Sequence, residues 1–402
     1  MEHPLKRTLI IPVLLASAFC QAQTQISATD ALKLASQNRP SLAASRLGVE
    51  QARLSARALS ALPPLNLAAG ASSRSEVGAT DQDLALTHEI DIFGRRRASG
   101  RVGEADVQLA LATYRREAGL LQSEVLTAFA IAVSARHQSD VAAELLFVAE
   151  GLLNATKRRF DEGKVAELQV TRATIESERA KQTRDLKGAD YRAAMTRLAS
   201  LIAVPQGELS VVPDAAIDPV AVPNIMDRPD ILEIKAEVAK ATAEAGFAKA
   251  TSRPEFSIQV VRSPWSNDRG YFIGRAQISW NLWDHGRSRN EVKAANLRAE
   301  AAAKALSDAT ARAEQELAAV QIELESRQAR IKSYEAILVS AKDLVVKSQK
   351  GFSEGFGTQV DVLEATRALR EVEQELVEAW QQLAFAVIKQ YEASGYLVEV
   401  LK

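Results

Sequence analysis

Cysteine is almost absent from this 402-residue sequence, with Cys20 as its single copy. A disulfide framework and a Cys-based zinc site are both excluded. The four histidines, His3, His88, His137 and His285, are scattered and form no HxxxH-type pair. No GxxxxGK, GxSxG or GxGxxG stretch occurs, and Gly94, Gly100 and Gly103 have the wrong spacing for a phosphate loop. No catalytic constellation or cofactor site can be assembled, so the chain is not expected to be an enzyme. An excess of one charge sign is missing too: 50 Lys+Arg face 51 Asp+Glu. That leaves no general electrostatic footprint for nucleic acid. Aromatics are 5% of the chain, thin material for a large globular core. Plentiful alanine suits long helices that pack closely at small side chains.

Helix breakers are missing from two long blocks. No proline lies between Pro64 and Pro205 or after Pro264, and no glycine lies from Arg287 through Lys350.

The N-terminus has the layout of a secretory signal peptide over residues 1–22. Lys6 and Arg7 precede an apolar run from Thr8 to Phe19. The run is shorter than the roughly 20 apolar residues that cross a bilayer. Cleavage after Ala22 would leave no cysteine in the mature chain. A lipoprotein reading would instead keep Cys20 as the acylated first residue, although Phe19 is bulky for such a signal. A buried N-terminal helix is the bland alternative. No later uninterrupted apolar run reaches 18 residues.

The chain is a duplication. Gly94, Arg95 and Arg97 recur 192 positions on as Gly286, Arg287 and Arg289. Phe160-Asp161-Glu162-Gly163 recurs as Phe352-Ser353-Glu354-Gly355, and Val170, Ala173 and Thr174 recur as Val362, Ala365 and Thr366. Upstream, Arg39-Pro40 matches Arg228-Pro229, and Pro63 and Leu65 match Pro254 and Phe256. The first repeat is expected at 23–204, with a β-hairpin at 65–92 and a long helical hairpin whose tip lies near 163–170. A proline-rich connector spans 205–228. The second repeat is expected at 229–402, with a β-hairpin at 256–283 and a tip near 355–362. Each repeat opens with a helix, Ala28 to Leu62 and Pro229 to Ser252, that a proline ends.

Four runs alternate like half-buried strands: Leu65–Val77, Asp83–Ile92, Phe256–Arg262 and Tyr271–Leu282. Their length suits a tilted bilayer crossing, and Trp265, Trp280 and Trp283 lie near their ends. A soluble sheet covered by helices is the alternative. Four strands cannot close a transmembrane barrel, which needs at least about eight. Strands entering a membrane would therefore have to be shared between protomers.

From Arg287 to Lys350 an alanine-heavy stripe runs Val292, Ala295, Ala299, Ala302, Leu306, Ala309, Ala313, Leu317, Val320, Leu324, Ile331, Tyr334, Leu338, Ala341, Val345. Its steps of mostly three and four make a helical seam roughly 96 Å long at ~1.5 Å per residue. Arg95–Glu150, Val165–Ala203 and Thr358–Gly395 carry similar patterns. Gly163 and Gly355 would turn the two hairpins in a positive-φ conformation. Apolar residues exposed at such tips imply a partner.

The duplicated plan, Ile92-Phe93-Gly94-Arg95-Arg96-Arg97, Arg159-Phe160…Gly163…Val165…Val170 and Phe352…Gly355…Val360-Asp361-Val362-Leu363 resemble the TolC-type outer membrane efflux proteins, also called outer membrane factors. The likeness runs from about Ser27 to Tyr396. It implies a mainly α fold with a β portion. Three protomers share a 12-strand transmembrane β-barrel, and their duplicated helical hairpins form a trimeric α-barrel through the periplasm. It also implies a homotrimer in outer membrane lipid, joined through a periplasmic adaptor (membrane fusion protein) to an inner-membrane pump. Gly163, Lys164, Val165, Leu168, Gly355, Phe356, Gly357 and Val360 would then form adaptor-docking tips. Gln169, Asp361 and Glu364 would stand at the channel gate. Two positions depart from the family: Gly357 replaces an expected gate arginine, and Gln169 replaces an acid. The chain is also short, which predicts trimmed extracellular loops and a reduced equatorial region.

The expected function is a passive outer-membrane exit duct for a tripartite efflux or secretion system. A periplasmic coiled-coil adaptor or scaffold is the competing reading, but it would need one hairpin and compact β domains. Cargo is left to the pump: drugs, metals, siderophores and proteins all fit, and no His/Met cluster points to copper or zinc.

Overall fold

The computed structural model describes residues 24–74, 79–205, 209–212, 217–219, 224–262, 272–281 and 283–398. The expected signal peptide with Cys20, the turn around Trp265, and Tyr271 and Leu282 lie outside them. The elements run β1 (Thr24–Ile26), α1 (Ala28–Asn38), α2 (Pro40–Ser60), β2 (Leu65–Arg74), β3 (Ala79–Ile90), α3 (Arg95–Asp161) and α4 (Glu167–Ile202). They continue with β4 (Leu209–Val211), α5 (Pro229–Thr251), β5 (Glu255–Arg262), β6 (Ile273–Ser279), α6 (Arg287–Glu354) and α7 (Gln359–Ser394).

The first helix of repeat one is broken, where a single helix from Ala28 to Leu62 was expected. Arg39 sits at φ −79° and ψ 116°, because the following proline ring disfavours the helical region. Pro40 then opens α2 at a position where its missing N–H costs no bond. Arg39 binds Glu124 of α3 at 2.8 Å. In repeat two, Arg228 precedes Pro229 and binds Glu316 of α6 at 2.8 Å and Asp230 at 2.9 Å. The repeated Arg-Pro pair thus tethers the short helix of each half to its long helix.

At ~1.5 Å per residue, α3 and α6 are each about 100 Å long. Every residue of the α6 stripe is buried or half-buried. Both long helices start the same way. Gly94 (φ 81°) and Gly286 (φ 84°) turn the chain left-handed. The Asp91 carboxylate accepts the Arg95 and Arg96 N–H groups, and that of Asp284 accepts those of Gly286 and Ser288. This capping ends β3 at Ile90, two residues before the expected Ile92.

Among the described residues, α3 holds the one helical stretch apolar and long enough to cross a membrane. Over half of that stretch is buried inside the chain, as a core helix would be. Phe129, Leu126 and Val125 of α3 pack with Leu32, Leu198, Ile202, Val211 and Val387. This waist core also seats β1, paired in parallel with β4. That small sheet was not expected, since three-residue strands carry no readable alternation.

The larger sheet runs β2-β3-β5-β6, antiparallel throughout. Its register gathers Leu65, Leu67, Leu84, Leu86, His88, Ile90, Phe256, Ile258, Val260, Ala276 and Ile278 on one face. Asn66, Asp83, Thr87, Glu89, Ser257, Gln259, Arg275 and Gln277 take the other. Gln259 donates to Thr87 across that polar face. The apolar face lies open, with Leu67 at 66% and Ile278 at 65% exposure. Neither β2 nor β6 has a second strand partner among the described residues.

Candidate coupling site at the helical tips

At the far end from the sheet, each long hairpin turns on a left-handed glycine: Gly163 at φ 70° and Gly355 at φ 87°. No heavy atom lies within 4 Å of where either would carry a Cβ, so conformation and not space demands glycine. In the first tip the Gly163 N–H donates to Phe160 O and the Lys164 N–H to Arg159 O, both at 2.8 Å. These bonds satisfy the last carbonyls of α3. Lys164 Nζ lies 2.7 Å from Glu162 and holds its carboxyl below the usual glutamate range. Ala166 precedes α4 and offers no side-chain cap. Val165 is half-buried, whereas Leu168 is 59% exposed.

The second tip is built differently. The N–H groups of Phe356 and Gly357 both donate to Gly351 O, at 3.0 and 2.9 Å. A side chain on Gly357 would meet Gly351 C and Phe352 N at 3.0 Å. The turn therefore selects glycine where the family resemblance expected a gate arginine. Thr358 and Asp361 form a capping box: Thr358 Oγ1 accepts the Asp361 N–H at 3.2 Å, and Asp361 accepts the Thr358 N–H at 2.8 Å. These bonds hold the Asp361 carboxyl below the usual aspartate range. Phe356 is 91% exposed, and Val360 and Glu364 also face outward.

Contacts between the two hairpins bind the tips side by side. The Arg159 guanidinium lies 4.4 Å from the Phe352 ring centroid and donates to Phe352 O at 2.9 Å. Buried Gln359 donates to the Gln169 carbonyl at 3.1 Å, which sets the first-tip gate candidate beside the start of α7. About two turns further up, Glu176 of α4 pairs with Arg367 of α7 at 2.9 Å. Phe352 had a signal in the sequence, as the repeat partner of Phe160. Gln359 was readable as a tip residue but its bond was not, because its partner is a backbone carbonyl 190 residues away.

A family model described as outer membrane efflux protein matches residues 31–204 and 225–395. The nickel-cobalt-cadmium resistance protein NccC of Alcaligenes xylosoxydans xylosoxydans is 26% identical over 239 residues, 58% of this chain. That match spans 54% of NccC, about half its length. The pyoverdine export outer membrane protein OpmQ of Pseudomonas aeruginosa is 27% identical over 398 residues, 89% of this chain and 82% of OpmQ. A crystal structure of CusC superposes with a TM-score of 0.76 at 20% identity, covering 92% of each chain.

Proposed function

This chain belongs to the outer membrane efflux protein family, and from that premise we propose that it is the passive exit duct of a tripartite efflux or secretion system in a Gram-negative envelope. One observation carries the reading: a two-faced sheet with open edges stands at one end of helices about 100 Å long, and two exposed apolar tips stand at the other. The sheet's apolar face suits lipid and its polar face a wet lumen. Four strands leave edges that lipid does not tolerate. Three copies bring twelve strands, enough to close.

The signal peptide at 1–22 exports the chain, and the two repeats at 23–204 and 229–402 flank the connector at 205–228. The tips, through Gly163, Lys164, Val165, Leu168, Gly355, Phe356, Gly357 and Val360, dock a periplasmic adaptor that joins an inner-membrane pump. Transport direction comes from the pump, since the sequence carries no nucleotide-binding motif. Gln169, Asp361 and Glu364 line the gate, and rings of the two acids favour cations by Coulomb attraction. Asp361 combines this role with its capping bonds. NccC is named for metal resistance and OpmQ for pyoverdine export, so relatives of one fold carry unlike cargo.

Carbonate washing of isolated outer membranes tests the reading. A duct stays with the membrane, whereas extraction into the wash would favour a periplasmic scaffold.

A further inference from the structure

We infer that the first helical hairpin and α7 together form a binding groove for an amphiphilic anion, a small molecule with a carboxylate, sulfonate or phosphate head on an apolar body. The inference rests on the exit-duct reading above in one respect, that such a molecule is cargo, and it names the class of cargo the groove takes.

Small side chains in facing positions create the groove. Ala142 and Ala149 of α3 lie seven residues apart and share a face, as do Ala173 and Ala180 of α4. All four line one cavity of about 60 Å³ that opens to one side. Leu145, Val148 and Leu152 of α3 and Leu363 of α7 make its floor apolar. The second repeat lacks this cause of the groove. At the offset of the duplication, Tyr334 and Val372 stand in place of Ala142 and Ala180. Tyr334 packs against the cluster of Ile331, Leu376 and Ala379.

Charge at the rim is unbalanced. Three guanidiniums, Arg179 of α4 and Arg367 and Arg370 of α7, share the groove with one carboxylate, Glu176. Arg367 and Arg179 both donate to the same Glu176 oxygen, Oε1, at 2.9 and 3.3 Å. One negative charge thus serves two arginines and leaves the rim positive. Arg370 is partly buried and has no hydrogen-bond or ion-pair partner among the described residues. A cation withdrawn from water without a counter-charge is costly, and a bound anion offsets that cost. The planar guanidinium matches a carboxylate or phosphate head with two parallel bonds.

The shape sets the rest of the ligand. A volume near 60 Å³ takes a short apolar segment, so the charged head stays at the rim beside the arginines. Along α7 the sign of charge reverses within one turn, from the gate candidates Asp361 and Glu364 to Arg367 and Arg370. The groove is therefore opposite in sign to the gate.

Fluorescence titration of the purified protein in lipid nanodiscs tests the inference, with empty discs as the background. The probes are anilinonaphthalene sulfonate, an amphiphilic anion, and uncharged N-phenylnaphthylamine. Saturable binding of the sulfonate is expected. Arg370→Gln should weaken it about tenfold, the size of one charged hydrogen bond. Glu176→Gln should tighten it, because the competing carboxylate is gone. The uncharged probe should follow neither substitution. Arg179→Gln, at a side chain 68% exposed, is a second weakening variant should Arg370→Gln fail to assemble. Sulfonate binding that is absent, or unchanged in both arginine variants, would overturn the groove and leave the duct standing. Equal losses for both probes would also overturn it, because charge would then play no part. Sulfonate binding that follows the substitutions, in a chain that carbonate extracts from the membrane, would keep the groove and overturn the duct.

Discussion

The two hairpin tips share a backbone turn and differ in what fastens it. Gly163 and Gly355 adopt the same left-handed conformation. Both close on equivalent backbone bonds, Gly163 N–H to Phe160 O and Lys164 N–H to Arg159 O in the first tip, Gly355 N–H to Phe352 O and Phe356 N–H to Gly351 O in the second. The first tip adds a surface ion pair, Lys164 with Glu162, and α4 starts uncapped at Ala166. The second tip adds a further N–H bond from Gly357 to Gly351 O and a Thr358–Asp361 capping box, and it displays Phe356 nearly bare. The two copies thus share the bend, while the second adds a capping box and an exposed aromatic. A rigid aromatic knob orders little on binding, which suits a docking anchor.

The largest effect is expected from breaking the shared turn. Gly355→Pro forces φ to about −65° where the chain sits at 87° and removes the bond to Phe352 O. Efflux should fall to the level of a deletion strain while trimers remain in the membrane. Normal efflux in this variant would refute a coupling role for the second tip. Val165→Asp should do the same for the first.

The asymmetry gives the next prediction. Phe356→Ser should weaken binding to the cognate adaptor by about thirtyfold or more, the size of a hot-spot loss. Leu168→Ser, at a first-tip residue less exposed than Phe356, should cost less. Surface-immobilised adaptor and detergent-solubilised channel would provide both values, and an equal loss would erase the proposed hierarchy.

Cap exchange should make the tips alike. Ala166→Asp gives α4 the missing cap and should stabilise its first turn by about 1 kcal/mol. Thr358→Ala should cost α7 about the same. Amide exchange at residues 166–170 and 358–362 would show protection rising in one variant and falling in the other.

The smallest effects concern charge. Both Glu162 and Asp361 have lowered carboxyl pKa values. Their contributions are therefore present above the ordinary carboxylate range and are lost as pH falls through the depressed values. Salt separates them, because it screens an exposed ion pair but leaves hydrogen bonds to Thr358 intact. Amide exchange near 164 should quicken between 0.1 and 1 M salt (about 10 and 3 Å Debye lengths) while exchange near 359 stays constant.

Much of this design was legible in the sequence because it is periodic or repeated. The α6 stripe from Val292 to Val345, the alternation of Leu84 to Ile90 and the twin glycines each follow from a local rule of spacing. The break at Arg39 was missed because the first helix was read through Pro40. The purpose of the Arg-Pro pair was hidden because Glu124 and Glu316 lie 85 and 88 residues away. At the tips the glycines were readable, but the fasteners between them, Arg159 on Phe352 and Gln359 on Gln169, join segments whose contact only folding creates. Asp361 is named by the family resemblance as a gate acid, while its capping bonds became visible with the Thr358 geometry.

The claim that four strands per chain are completed by other copies is open to one direct measurement. The detergent-corrected mass of the protein extracted from purified outer membranes, by light scattering, should be about three times that of the processed chain. A water-soluble monomer or dimer recovered from the periplasmic fraction would contradict the duct and favour a scaffold.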